Sequence, residues 1–120
     1  MNKIQALHSF WSSFELNAYD VNSVPDNVKL PYLTYEVSDD NFGATLIQNT
    51  NLWYRSNSWV EITAKEQEIS DFITRGGRMI TYTDGAIWIR KSTPWAQRLA
   101  DVSDSTIRRI VLSVVVEFMD

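Results

Sequence analysis

Apolar positions divide the 120-residue chain into helical and extended stretches. From Lys3 to Leu16, Ile4, Leu7, Trp11 and Phe14 recur at spacings of three and four, the period of a helix with one buried stripe. His8 and Ser12 flank that stripe. Residues 17–31 are polar and carry Pro25 and Pro31, which predicts a connection rather than continued helix. Tyr32 to Ser38 then alternates as a strand does, with Leu33, Tyr35 and Val37 on one face and Tyr32, Thr34 and Glu36 on the other. The run Asp39-Asp40-Asn41-Phe42-Gly43 reads as a turn. A second strand is predicted from Ala44 to Arg55, with Asn49-Thr50-Asn51 as the place for a bulge or bend.

A second helix is predicted over Trp59–Arg75, where Trp59, Ile62, Ile69, Phe72 and Ile73 form the stripe. Two capping boxes compete for its start, Ser58 with Glu61 and Thr63 with Glu66. The first is favoured because Trp59 and Ile62 continue the stripe. Gly76-Gly77 supplies the positive φ that ends a helix. Arg78–Thr83 and Ala86–Lys91 are β-rich runs separated by Asp84-Gly85, the signature of a two-residue hairpin. Ser92–Asp104, with Pro94 and Trp95, reads as a longer irregular connection. Ser105–Met119 reads as a long strand. Ile110, Leu112, Val114, Val116 and Phe118 line one face, and Arg109, Val111, Ser113, Val115 and Glu117 the other. Burial on one face and partial burial on the other suits a central position or an assembly contact.

Helices and strands are mixed without regular alternation, so the expected class is α+β. The expected architecture is a mixed, mainly antiparallel sheet of about four to five strands flanked by two α-helices, in a single domain over residues 1–120. Surface scaling for 13.9 kDa gives roughly 6,700 Å² folded against about 20,000 Å² unfolded, so a sizeable core can form. With 44% hydrophobic residues and five Trp, the composition excludes a wholly disordered chain.

The chain has no Cys, which removes thiol chemistry, disulfides and cysteine metal sites and fits folding in a cytoplasm. The longest apolar run, Ile110 to Val116, is strand length and far short of the ~20 residues that span a bilayer. The N-terminus has no apolar stretch of signal-peptide type. A net charge of −4 argues against general nucleic-acid binding. The charge is uneven: Arg75 to Arg109 holds seven basic and three acidic residues, and the rest four and twelve. Such polarity suits head-to-tail or ring assembly of identical subunits, and equally a solvated surface with uneven charge.

Candidate chemistry is thin. His8 is the only histidine, and no nucleophile elbow, zinc-protease, P-loop or dinucleotide motif occurs. Asp39, Asp40 and Asn41 could hold a hard cation, but their spacing does not match an EF-hand loop and an acidic hairpin turn explains them better. Glu66, Glu68 and Asp71 read as a solvent face, and Glu61 with Lys65 as a supporting pair. No catalytic residue, metal ligand or cofactor site is assigned. The surface is more informative. Trp53 and Tyr54 point to opposite sides of one strand, and so do Trp88 and its neighbours Ile87 and Ile89. Two helices can cover only one sheet face, and a large apolar surface left open implies a partner. Phe42, Trp95, Arg98, Arg108 and Arg109 are the candidate interface residues. Trp95 also fits a buried loop anchor, and the Arg pair also fits edge protection.

In this layout the chain resembles the tail terminator, or tail completion, proteins of long-tailed bacteriophages. Four pieces carry the resemblance, in order: the amphipathic N-terminal helix; Pro31 to Tyr35 (Pro-Tyr-Leu-Thr-Tyr) after a polar loop; a strand running directly into a helix through Asn51 to Ser58; and the loop Pro94 to Gln97 before an Arg-rich final strand ending Val116-Glu117-Phe118. The resemblance implies a non-enzymatic virion protein at the tail–neck junction, assembled in the host cytoplasm. It implies a hexameric ring that caps the tail tube, ends polymerisation of the major tube protein and meets the head-completion (stopper) protein, with DNA passing through and no membrane partner. It carries over no catalytic residues. Two alternatives stay open: another neck protein, a stopper or adaptor, and a small ligand-binding α+β domain.

Overall fold

The structure, a computed structural model, describes residues 1–38, 43–100 and 103–119. In chain order its elements are α1 (Lys3–Ser12), β1 (Asn17–Asp20), β2 (Tyr32–Tyr35), β3 (Thr45–Arg55), α2 (Val60–Ile73), β4 (Arg78–Tyr82), β5 (Gly85–Ala100) and β6 (Ile107–Met119). The strands form one six-stranded sheet in the order β1-β2-β3-β6-β5-β4. Only β1–β2 is parallel; the other four pairings are antiparallel. The class is therefore α+β as expected, with six strands rather than four to five. The extra strand is β1, inside the stretch taken for a connection. It is four residues long and buries only Ala18, too little for alternation to register in the sequence.

α1 opens with a box that the sequence reading did not name. The Asn2 side chain accepts from Gln5 N, and the Gln5 side chain accepts from Asn2 N, each at 2.9 Å. The helix stops at Ser12, short of the expected Leu16, where the Ser13 hydroxyl donates to the Phe10 carbonyl at 2.6 Å and Glu15 adopts a φ of 62°. Its buried face is Ala6, Leu7, Phe10 and Trp11, continued by Phe14. Ile4, expected in the stripe, is 38% exposed. Phe10 takes the inner place, edge-on to Trp11 and Phe14.

α2 is shorter than the expected Trp59–Arg75. Trp59 stands at its N-cap without a side-chain cap, so neither capping box is made. Ser58 Oγ instead accepts from Val60 N at 3.3 Å. At the other end the left-handed residue is Thr74, φ 67°, not a glycine. Gly77 follows at φ 93°, and a Cβ there would lie within 2.7 Å of Ile89 O and 2.5 Å of Trp88 Nε1. Gly77 is thus needed for close approach to β5 rather than for the helix end.

The hairpin forms, with its turn one residue earlier than expected. Tyr82 pairs with Gly85, so Thr83-Asp84 is the loop and Gly85 opens β5. β3 and β6 stay in unbroken register from Thr45↔Glu117 to Arg55↔Ile107, which removes the bulge expected at Asn49–Asn51. The irregularity lies in β5, between Lys91 and Ala96. There Pro94, which has no ladder N–H to give, sits in the bulge. The expected irregular connection Ser92–Asp104 is therefore largely strand, continuing to Ala100. The predicted turn at Asp39–Phe42, with its cation-donor reading, lies outside the described residues.

Both helices pack on the same sheet face. One core cluster joins Leu7, Phe10, Trp11 and Phe14 to Ile62, Ile69 and Ile73 and to Leu33, Leu52, Ile87, Ile89 and the even-numbered residues Ile110 to Phe118. The accessible surface of the described residues, 6810 Å², is close to the size-scaling value. The core is not wholly apolar. Gln48 and Thr50 are 2% and 1% exposed on the β3 side, and Gln48 Oε1 and Thr50 Oγ1 have no partner among the described residues.

Candidate assembly surfaces

Strand alternation assigns the other sheet face. Tyr19, Tyr32, Thr34, Asn49, Asn51, Trp53, Arg109, Val111, Ser113, Val115, Trp88 and Arg90 point away from the helices. Two helices are too few to cover both faces of six strands. Ile47, at the β3 end of this face, is 66% exposed.

The aromatic groups here are stacked against one another and against guanidinium groups. Tyr19 meets Tyr32 edge-on at 5.9 Å, Tyr32 stacks on Trp53 at 6.2 Å, and Arg109 Cζ lies 4.7 Å from the Trp53 ring. Arg109 Nε donates to Asn51 Oδ1 at 2.8 Å, and Ser113 Oγ donates to Asn49 Oδ1 at 2.8 Å. Arg90 lies 4.1 Å over Trp88 and pairs with Glu117 at 3.5 Å. Each such cation–π contact is worth about 0.5–1 kcal/mol at an exposed site. More important, the rings and guanidiniums hold one another in fixed positions, which lowers the entropy cost of docking onto them.

A second cluster lies where α2 begins. Arg98 Cζ is 4.9 Å and Arg108 Cζ 5.3 Å from the Trp59 ring. Arg98 Nη2 donates to Thr63 Oγ1 at 3.3 Å. Beside it an open groove of about 500 Å³ runs along Val60, Ala64 and Gln67. Another, of about 410 Å³, lies between α1 and β4, against Phe72 and Met79.

The candidate residues from the sequence thus fall in different places. Arg98 and Arg108 come together on Trp59. Arg109, one residue along, points to the opposite face on Trp53, because successive strand residues alternate. Trp95 is partly buried and packs against the core, with Nε1 donating to Glu66 Oε1 at 2.9 Å, so it ties the β5 bulge to α2. Phe42 lies outside the described residues. The sequence reading missed Trp59, Tyr19, Tyr32 and Asn51 as surface-cluster members. Trp88-Ile89-Arg90 was visible as a same-face pair two residues apart. Trp53 with Arg109 was not, because it depends on the β3–β6 register.

Among the described residues the titratable groups show no convergent chemistry. Among the described residues no group of three His, Cys, Asp or Glu is placed to hold a metal ion. His8 Nδ1 lies 2.9 Å from Tyr35 Oη and its Nε2 3.2 Å from Ser12 Oγ, on the helix surface. Burial, then the Asp20 charge, raises the Tyr35 pKa; burial, then Glu61 and Glu68, raises that of Tyr54. Asp104 is held down at about 2, chiefly by the Thr106 hydroxyl and then by Arg55, whose Nη1 donates to it at 2.7 Å. That carboxylate fastens the start of β6 to the end of β3. Among the described residues no helix is long and apolar enough to cross a membrane.

These features define an α+β protein with a helix-covered sheet face and an open, aromatic- and Arg-bearing one. No family model matches the chain, and no curated protein matches it. Among solved structures, the fold is similar to a chain in the virion of a native gene transfer agent particle. The TM-score is 0.62 at 17% identity, over 95% of this chain and 84% of that one.

Proposed function

We propose that the chain is a non-enzymatic structural virion protein of one domain and, within that class, a tail terminator. In this reading it forms a hexameric ring on the end of the tail tube, stops tube growth and presents a surface to the head-completion protein. The observation that carries the reading is the fold-level likeness to a virion chain along nearly the whole length of both. The sequence resemblance to tail terminators narrows it.

Two structural features support it. The open sheet face offers the extended contact surface a ring subunit needs. Arg78, Arg90 and Lys91, which would grip DNA if they lined a lumen together, do not share one surface. Lys91 turns to the helix side and donates to Ser70, and Arg78 donates to the Phe72 carbonyl beside α2. Arg90 is on the open face, paired with Glu117. A conduit without a basic wall lets phosphates slide. The sheet is open at β1 and β4, whereas stoppers tend toward small closed barrels, which weighs against the stopper alternative.

The test is tube assembly in vitro. Adding this protein to polymerising tail-tube protein of its own phage is expected to arrest elongation and to leave density on tube ends. Tubes that lengthen unchanged, with bare ends, would overturn the reading.

A further inference from the structure

We propose that the open sheet face of one subunit docks on the outer face of α2 of a second copy, head to tail. The inference rests on the ring reading and says which surfaces meet. Three observations carry it.

The first is charge. α2 holds Glu61, Glu66, Glu68 and Asp71 against one Lys65, so it is net acidic. The open face holds Arg109, Arg90 and Arg55 against Glu117 within its strands. Arg55 and Arg90 have acidic partners, but Arg109 has no carboxylate partner among the described residues. Glu61, Glu68 and Asp71 are exposed on the outer face of α2, with Arg98 and Arg108 as a basic edge at Trp59 beside its first turn. The outer face of α2 thus carries the sign opposite to the open face around Arg109, which favours front-to-back contact and disfavours two open faces meeting around Arg109.

The second is apolar matching. On α2, Val60 is 72% exposed, and Ala64, one turn on, is also exposed, with the groove beside them. On the open face Ile47, Val111 and Val115 form the apolar middle. Apolar centres with charged rims of opposite sign are the ordinary anatomy of an interface.

The third is layer architecture. A sheet with apolar groups on both faces needs cover on both. Here α1 and α2 of the same chain supply one cover, and a neighbour's helix supplies the other. Because the two patches differ, the contact is heterologous, and repetition produces a ring or a filament.

The native chain has no Cys, so introduced thiols report only their own positions. Val111→Cys and Ala64→Cys are made as separate variants, both surface changes, with thermal melts to confirm folding. Each is treated with a short bis-maleimide alone and mixed, both free at concentrations up to the highest soluble and bound to tail tubes. Covalent dimers are expected in the mixture at least tenfold above either variant alone. Dimers of Val111→Cys alone would instead mean that two open faces meet. That result, or no cross-linking in any sample, overturns the proposal. If the mixture fails to cross-link while wild-type protein still caps tubes, the docking assignment falls and the tail-terminator reading stands. If it cross-links and tubes are ignored, the reverse holds.

Discussion

The two faces of β6 are made from alternate residues of one strand, yet they behave as different materials. Ile110, Leu112, Val114, Val116 and Phe118 are at most 3% exposed and lock into the helices. Arg109, Val111, Ser113, Val115 and Glu117 remain part-exposed on the open side. The first set answers to folding. The second is free to answer to a partner, because changing it opens no cavity in the subunit. Residues on the two faces should therefore separate stability from assembly.

The sharpest contrast is between neighbours. Leu112→Ala leaves a cavity at a fully buried site and is expected to cost about 2–5 kcal/mol in denaturant unfolding. Val111→Ala, one residue away on the open face, is expected to cost about 0.5 kcal/mol or less. Equal losses would mean that the open face is packed within the monomer.

Next in size is Gly77→Ala. It combines a positive φ with a Cβ against β5 backbone, and a loss of about 1–3 kcal/mol is expected. A neutral result would show that the β4–β5 hairpin shifts readily. Thr50→Val runs the other way. Its buried hydroxyl has no partner among the described residues, so removal is expected to stabilise the covered face by about 1 kcal/mol. Destabilisation would mean that the Thr50 hydroxyl is hydrogen-bonded in the folded protein.

Smallest is an effect confined to acid. Asp104 has its folded pKa depressed to about 2 from the ordinary 3.8. A depressed carboxylate stabilises the fold fully above its unfolded value and loses that contribution as pH falls through the folded one. Wild type is thus expected to lose the Asp104 contribution between about pH 4 and pH 2. Asp104→Asn is expected to be slightly less stable at neutral pH and to show a shallower acid decline over that window. An unchanged acid profile would assign the decline to other carboxylates.

How much of this could be read in the sequence depended on range. Local signals held for both helices and for five strands; β2 and β4 are only four and five residues long, but the alternation in sequence runs past their ends, to Ser38 and Thr83. β1 escaped because four residues with one buried position carry no period. Continuation of β5 through Pro94 escaped because a proline ordinarily marks the end of pairing, and only the β6 ladder makes the bulge visible. Thr74 took the left-handed position where two glycines were at hand, which no local rule anticipates. The open face was inferred correctly from Trp53 and Trp88, since covering elements can be counted. Its detailed chemistry was not, because Trp53 meets Arg109 and Trp59 meets Arg98 and Arg108 across tens of residues of chain. Arg108 and Arg109, adjacent in sequence, looked like one basic feature and belong to two surfaces.

The most direct test of the central claim is solution mass by light scattering, taken for the protein alone and then with tail-tube protein. The tail-terminator account predicts a hexamer of about six times 13.9 kDa, or a monomer that assembles only on tube ends. A stable monomer indifferent to tubes at every concentration would contradict it.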